Sequence, residues 1–169
     1  MNRKPISPEK AALRMAALCA RAEHCEFEID RKLFRQGLTP TQRKEIIDFL
    51  RDQKYLDDER FAKSFTNDKA RFALWGPYKI KNELRQRKIS SEFISKAINE
   101  VDEEIWNESI TRIAHSKSRN LDLMGEEGHN NCMRIYRYLL SRGFGSSESI
   151  KTIKSIIRER KNNEGENLE

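Results

Sequence analysis

Three pairs of large apolar residues, each pair five positions apart, recur along the chain and limit how it can fold. The pairs are Leu33 and Leu38, Leu84 and Ile89, and Leu139 and Phe144. Their second members are separated by 51 and 55 positions, and three further columns align with them. In order, these columns hold Ile47, Ile98 and Ile153, then Leu50, Val101 and Ile156, then Gly37, Lys88 and Gly143. Self-similarity at a fixed period indicates a repeat architecture.

A unit of about fifty residues buries too little apolar surface to be stable alone, so stacked neighbours must complete its core. We therefore expect an all-α protein, an elongated and curved array of three tandem three-helix repeats resembling helix-turn-helix units. The expected repeats are residues 1–55, 56–101 and 102–160, followed by a disordered polar tail at 161–169.

Composition also favours helices over strands. Apolar residues make up 37% of the chain and charged residues 36%, and no stretch alternates apolar and polar residues for long. Helix starts are indicated at Ser7-Pro8 and by the capping box from Thr39 to Gln42. The buried face of the first helix is expected to comprise Ala12, Leu13, Ala16, Ala17 and Ala20.

The stretch from Tyr55 to Ile89 contains the two central helices. Asp57 is expected to cap the first helix, and Gly76 is expected to end it in the left-handed conformation. Pro77 suits the first turn of the second helix. The residues expected to face inward are Phe61, Ala62, Phe65 and Phe72 in the first helix and Ile80 and Leu84 in the second.

This stretch is strongly basic, because nine Lys and Arg residues between Arg60 and Lys88 stand against only Asp68 and Glu83, a local charge of +7. Basic residues interleaved with aromatic ones are typical of a surface that binds a polyanion or an acidic partner. The same pattern is also typical of a solvated helical face, with the aromatic residues in the core. The candidate contact residues are Arg60, Lys63, Lys69, Arg71, Trp75, Tyr78, Lys79, Lys81, Arg85, Arg87 and Lys88.

The whole chain carries a net charge of +6 and has a pI near 9.3. This charge favours nucleic acid, or a protein that holds nucleic acid, over a membrane as the partner. An 18-residue apolar run and the apolar core of a signal peptide are both missing from the sequence. The expected location is the cytoplasm.

Catalytic and metal-binding patterns are absent from the sequence. The three cysteines, Cys19, Cys25 and Cys132, form no CxxC pair, and adjacent His24 and Cys25 would diverge on a helix. There is no phosphate-binding glycine loop, nucleophile elbow or zinc-protease motif. The acidic cluster between Glu100 and Glu108 suits a helix N-terminus. We therefore expect no enzyme activity, no metal and no cofactor.

The central stretch resembles the RecX family of recombinase regulators. Residues 54–61 fall where that family has "G-Y-L-D-D-x-R-F", and residues 76–89 fall where it has "G-x-x-x-I-x-x-E-L-x-x-K-G-I". The resemblance gives a structural role to Tyr55, Leu56, Asp57, Asp58, Phe61, Ala62, Gly76, Pro77, Ile80, Glu83, Leu84 and Ile89.

The resemblance covers roughly residues 10–158. Residues 21–33 look like the family's "R-x-H-S-x-x-E-L-x-x-K-L" helix start, and residues 138–144 look like its "F-L-x-x-R-G-[YF]" element. Four structural positions depart from the family pattern. Cys25 replaces a capping Ser, Ile29 replaces Leu, and Lys54 and Lys88 each replace Gly.

The resemblance implies a cytoplasmic bacterial protein, expected to be a monomer, that binds the RecA recombinase. Such a protein lodges in the groove of the RecA filament on single-stranded DNA and inhibits filament extension, ATPase activity, strand exchange and coprotease activity. On this view Trp75 and Tyr78 anchor the contact, and the charges that touch the filament are Lys79, Lys81, Arg85, Arg87 and Lys88. Two alternatives remain: a helical module that binds nucleic acid directly without RecA, and a helical scaffold that joins other proteins.

Overall fold

A computed structural model describes residues 6–166, apart from the side chains of Glu126 and of residues 164–166. Within that range the chain forms nine α-helices and no strand. The helices are α1 (Pro8–Cys19), α2 (Glu26–Arg35), α3 (Pro40–Asp52), α4 (Asp58–Arg71), α5 (Pro77–Gln86), α6 (Ser91–Asn99), α7 (Glu103–Ser118), α8 (Gly125–Ser141) and α9 (Ser146–Glu166). The prediction of an all-α fold is confirmed.

The repeated pairs mark the same turn in three places. The amide of Leu38 donates to the carbonyl of Leu33, that of Ile89 to Leu84, and that of Phe144 to Leu139, at 3.4, 3.1 and 3.2 Å. The residue before each donor has a positive φ: 82° at Gly37, 60° at Lys88 and 91° at Gly143. This is the Schellman helix ending, in which a left-handed residue lets the chain turn back towards the helix.

The apolar columns lie in the core. Leu33, Leu84 and Leu139 are each 0% exposed, and the second member of every pair is buried as well. The members of the two other apolar columns, which begin with Ile47 and Leu50, are buried except for Ile98, which is half-buried. Because one turn and one set of buried positions recur after α2, α5 and α8, the helices form three-helix repeats.

The first of two compact units contains the described residues up to Phe65 together with Leu84–Ala97. Its capping box is formed as predicted, since Thr39 Oγ1 accepts from the amide of Gln42 and Gln42 Oε1 accepts from the amide of Thr39. Buried residues of α1, α2 and α3 and of the segments after α2 and α3 form its main core: Ala11, Met15, Ile29, Leu33, Leu38, Ile46, Ile47, Leu50 and Leu56.

The second unit contains Thr66–Glu83 and the described residues from Ile98 onward. Ser109 Oγ donates to the carbonyl of Ala70 at 3.0 Å, and Arg160 donates to the carbonyls of Ser118 and Leu121 at 2.5 and 2.7 Å. Its core comprises Ile110, Ile113, Ala114, Leu123, Ile135, Leu139, Phe144, Ile153 and Ile156. The two units divide the second expected repeat between them, so the compact units do not follow the repeat boundaries expected at residues 56 and 102.

Two expected buried faces differ in the structure. Phe72 is 82% exposed, because α4 ends at Arg71 and its last buried residue is Ala70. In α1 the buried residues are Ala11 and Met15, whereas Leu13 is 70% exposed. Alanines lie on several sides of α1, so their spacing did not identify the side that is buried.

Two backbone expectations also differ. The left-handed residue after α4 is Leu74, with φ 52°, and not Gly76. Residues 161–166 of the expected disordered tail lie in α9, and the rest of that expectation, residues 167–169, falls outside the described residues. Each further residue of an existing helix adds a hydrogen bond without a new nucleation cost, so α9 can continue through this polar segment.

Replacing Leu84 by Ala is expected to lower the free energy of unfolding by about 2–5 kcal/mol, because a fully buried side chain is lost and a cavity remains. Leu13→Ala is the matched control, since the same atoms are removed from an exposed helical position. The control should change stability by no more than about 0.5 kcal/mol. Urea unfolding followed by circular dichroism measures both, and equal effects would contradict the assigned core.

Candidate partner-binding surface

The eleven candidate contact residues fall in both compact units, and each group is described by itself. The first unit holds Arg60, Lys63, Arg85, Arg87 and Lys88. The second holds Lys69, Arg71, Trp75, Tyr78, Lys79 and Lys81.

In the second unit two ammonium groups lie over the ring of a half-buried tryptophan. Lys69 Nζ is 5.2 Å and Lys79 Nζ is 4.5 Å from the centroid of the Trp75 ring. Both distances are within the range of cation–π attraction, which holds charge against an aromatic face. We call Lys69, Trp75 and Lys79 the Trp75 cluster.

The turn between α8 and α9 fixes the chain around this cluster. The amide of Gly76 donates to the carbonyl of Arg142 at 2.8 Å, and the amide of Tyr78 donates to the carbonyl of Gly143 at 3.0 Å. The Arg142 guanidinium donates to the carbonyl of Ala73. A Cβ at Gly76 would lie 2.3 Å from the Gly143 oxygen, so only glycine allows this approach. The glycine is therefore needed for close packing rather than for a left-handed turn.

Two aromatic side chains near the cluster in sequence face solvent. Tyr78 is 61% exposed at the start of α5, and Phe72 is 82% exposed after the end of α4. Tyrosine is, with tryptophan and arginine, among the side chains that most often dominate protein interfaces. Phe72 was missed as a candidate because its helical spacing predicted burial, although its place at a helix end gave a contrary signal.

In the first unit most of the candidate basic residues have partners within the fold. Arg60 Nε lies 2.6 Å from Glu23 Oε1, and Arg87 Nε lies 3.2 Å from Glu28 Oε1. The Arg87 guanidinium also lies 5.0 Å from the centroid of the Phe65 ring.

Two lysines and Arg85 complete this group. Lys63 Nζ is 3.4 Å from Glu59 Oε1, Lys88 Nζ is 5.5 Å from the centroid of the Phe27 ring, and Arg85 is exposed. The contacts of Arg60 and Arg87 give these arginines a structural role, and their contact with a partner stays a prediction.

The two adjacent aspartates in the first central motif cap different helices. Asp57 Oδ1 accepts from the amide of Arg60 at 2.9 Å, which caps α4 as expected. Asp58 Oδ1 accepts from the amide of Glu26 at 3.0 Å, and this bond caps α2. The cap position of α2 is Cys25, whose side chain makes no capping hydrogen bond, so Asp58 supplies the missing acceptor.

Burial changes the acidity of two groups at this junction. It raises the pKa of the Cys25 thiol to about 12, so the thiol stays protonated near neutral pH and is a poor metal ligand or nucleophile. It also raises the pKa of the Asp58 carboxyl, while the hydrogen bond from Glu26 opposes this change. Most of the remaining motif residues are buried, namely Leu56, Phe61, Ala62, Gly76, Ile80, Leu84 and Ile89.

Asp58→Asn and Asp58→Ala separate the hydrogen bond that the Asp58 side chain accepts from the effect of its negative charge. Asn keeps an acceptor oxygen, so it should retain wild-type stability or exceed it at pH 7, whereas Ala should lose about 1 kcal/mol. A raised folded-state pKa means that the native protein binds the proton more readily than the unfolded chain. The contribution of Asp58 to stability therefore falls as pH rises from its pKa in the unfolded chain through its pKa in the folded protein. Any advantage of Asn over Asp should shrink on acidification, because Asp58 then becomes neutral as well. Equal losses for Asn and Ala at pH 7 would show that the charge is required.

Neither a membrane-spanning helix nor a metal-binding cluster is found in the described part of the chain. None of the helices in residues 6–166 is both long enough and apolar enough to cross a membrane. Among the side chains that the structure describes, no three of His, Cys, Asp or Glu gather where they could hold a metal ion.

The fold and its buried motif define an all-α protein of three-helix repeats. The family model for "RecX, second three-helix domain" matches residues 57–98, and the regulatory protein RecX of Mannheimia succiniciproducens is 30% identical over 128 residues, 75% of this chain and 81% of that protein. The chain belongs to the RecX family of regulatory proteins. These proteins are not enzymes, so the prediction of a non-enzymatic protein is confirmed.

Other relatives show the extent of the match. The regulatory protein RecX of Clostridium botulinum strain Eklund 17B is 30% identical over 134 residues, covering 79% of this chain and 60% of that protein. The chain thus spans about three fifths of the length of this relative. A crystal structure of regulatory protein RecX superposes with a TM-score of 0.76 at 26% identity, covering 88% of this chain and 71% of that one. RecX from Lactobacillus salivarius gives 0.74 at 19% identity, which supports the fold alone.

Proposed function

We propose that this chain binds the RecA recombinase and its filament on single-stranded DNA in the bacterial cytoplasm. Binding would inhibit filament extension, ATPase activity, strand exchange and coprotease activity. Membership of the RecX family supports RecA as the partner, and the Trp75 cluster with exposed Tyr78 is the observation that supports a binding surface.

The chemistry of this surface suits a nucleoprotein partner. The aromatic ring orients two ammonium groups before binding, so little side-chain freedom is lost when they meet an anion. Tyr78 offers a rigid aromatic anchor for a protein surface, while Lys69 and Lys79 suit carboxylates or phosphates. A contact of this kind weakens as salt concentration rises.

Inhibition through such a surface requires no chemistry by this chain. A bound regulator occupies surface that the next RecA subunit, the DNA or a substrate protein would need. Its effect is then set by occupancy, and each surface contact should change the concentration needed for inhibition more than its maximal extent.

Direct binding to nucleic acid is the second candidate function. Phe72 and Tyr78 are exposed aromatic residues close in sequence to Lys69 and Lys79. Bases of a single strand stack on such side chains while lysines contact the phosphates. In this case RecA would not be required for binding.

Equilibrium binding to assembled RecA filaments and to the bare oligonucleotide separates the two candidates at physiological salt. The RecA proposal predicts tighter binding to the filament by about tenfold or more. Equal or tighter binding to the bare strand would contradict it and favour the nucleic-acid module.

A double charge reversal tests the assigned surface. Lys79→Glu with Lys81→Glu should raise the concentration required to inhibit RecA ATPase by about tenfold or more, since two attractive contacts become repulsive. Lys10→Glu with Arg14→Glu is the matched control, because it reverses two exposed charges on α1. Circular dichroism checks that helicity is unchanged in both. Equal loss of inhibition in the Lys79/Lys81 and Lys10/Arg14 double variants would contradict the assigned binding surface.

A further inference from the structure

An apolar groove lies between α8 and α9 in the second compact unit, and it is separate in sequence from the candidate contact residues. It has a volume of about 620 Å³ and also includes the segment before α8. Its walls are formed by Leu123, Gly125, His129, Cys132, Met133, Tyr136, Ile150, Ile153, Lys154 and Ile157.

The groove wall offers few polar groups to a ligand. All of its lining residues are described, and none is acidic. The Tyr136 hydroxyl already lies 2.9 Å from Ser146 Oγ, and burial raises the pKa of the Cys132 thiol, which keeps it neutral. Ile150 lies at the groove and is nevertheless 43% exposed. The wall is therefore an apolar face left open to solvent.

A basic stripe on α9 borders the groove. Its four residues are exposed and follow one another at intervals of three, four and three positions: Lys151, Lys154, Arg158 and Lys161. At about 100° per residue they lie within roughly 80° of one another around the helix. Lys154 belongs both to this stripe and to the groove wall, so the stripe forms one rim of the groove.

The other charged residues in the described C-terminal half of α9 have partners elsewhere. Arg160 donates to the carbonyls of Ser118 and Leu121, and Glu159 Oε2 lies 3.5 Å from His115 Nε2. The stripe is thus distinct from the charges that hold α9 to the rest of its unit.

The apolar residues of the groove wall form its floor, and the basic stripe forms its rim. A ligand of the groove must suit both. A nucleic acid would use the rim but leave the apolar floor uncovered. A second copy docked symmetrically through the same face would bring two basic rims together, which is repulsive. An amphipathic helix with acidic residues along one flank satisfies both parts, because its apolar anchors cover the floor and its carboxylates meet the rim.

We propose that the groove between α8 and α9 is a docking site for an acidic amphipathic helix of a partner protein. The helix places apolar side chains spaced three or four positions apart against Met133, Ile150 and Ile157. Its Asp and Glu residues face Lys151, Lys154 and Arg158. This site does not depend on the proposed action on RecA, and the test below contains no RecA, so the two proposals can fail separately.

Selection from a library of displayed random peptides of about 16 residues, or about four helical turns, tests the proposal with the intact chain as bait. The expected consensus has apolar residues at helical spacing and an excess of Asp and Glu. The consensus peptide is then synthesised and its binding is measured by fluorescence anisotropy. No enriched consensus, or one without an acidic excess, would overturn the proposal.

Matched triple variants locate the binding site. The rim variant carries Lys151→Glu, Lys154→Glu and Arg158→Glu. The control variant carries Lys10→Glu, Arg14→Glu and Arg21→Glu, which are exposed on or just after α1. The rim variant should weaken peptide binding by about tenfold or more, and the control variant by much less. Thermal unfolding checks both, since Lys and Glu have similar helix propensities.

Methyl resonances show whether the apolar floor is covered. The peptide should shift the methyl signals of Met133, Ile150 and Ile157, and Ile150→Glu should abolish the shifts of Met133 and Ile157. Two further outcomes would overturn the proposal. One is that a single-stranded oligonucleotide displaces the peptide and shifts the same methyl signals. The other is that sedimentation finds self-association that the Ile150→Glu variant abolishes.

Discussion

One turn, used after the second helix of each repeat, is the constraint on which the rest of the structure depends. A buried leucine accepts a hydrogen bond through its carbonyl from the apolar residue five positions later, and the residue before that donor is left-handed. The turn fixes where the third helix of each repeat begins, and so which of its residues enter the core. Gly37 and Gly143 adopt this conformation readily, whereas Lys88 does so against its intrinsic preference. The buried Leu84 and Ile89 on either side hold the lysine turn in place.

The same turn in the last repeat also positions the candidate binding surface. The backbone of Arg142 and Gly143 accepts hydrogen bonds from the start of α5, and the contact is so close that neither Gly76 nor Gly143 has room for a side chain. Trp75 is the residue directly before this contact, so the contact fixes where its backbone lies. The turn after α8 and the candidate binding surface around Trp75 are thus joined by the same backbone hydrogen bonds.

Much of the fold could be predicted because it rests on local patterns. The aligned columns identified the buried residues of three repeats, and the capping box at Thr39 formed as its sequence indicated. Two of the expectations that failed were decided by contacts distant in sequence. Asp58 caps α2 rather than serving only its own helix, and Gly76 is required by Gly143 rather than by its own φ angle. No local pattern carries that information.

Of the candidate site, the basic and aromatic residue types could be predicted, but not which of them lie together. The structure gathers Lys69, Lys79 and Trp75, engages Arg60 and Arg87 in ion pairs, and exposes Phe72. Charge counting alone treats all of these cations alike, whereas burial and ion pairing separate them. The curved and elongated shape expected of the array stays a prediction.

The central claim is that this chain acts through a surface around Trp75 that contacts RecA. Its most direct test is site-specific photocrosslinking, with a photoreactive phenylalanine analogue in place of exposed Tyr78 and, as a control, in place of exposed Leu13. With RecA filaments assembled on single-stranded DNA, position 78 should give a covalent adduct with RecA and position 13 should give little. An adduct with DNA alone at position 78, or equal RecA adducts at both positions, would contradict the account.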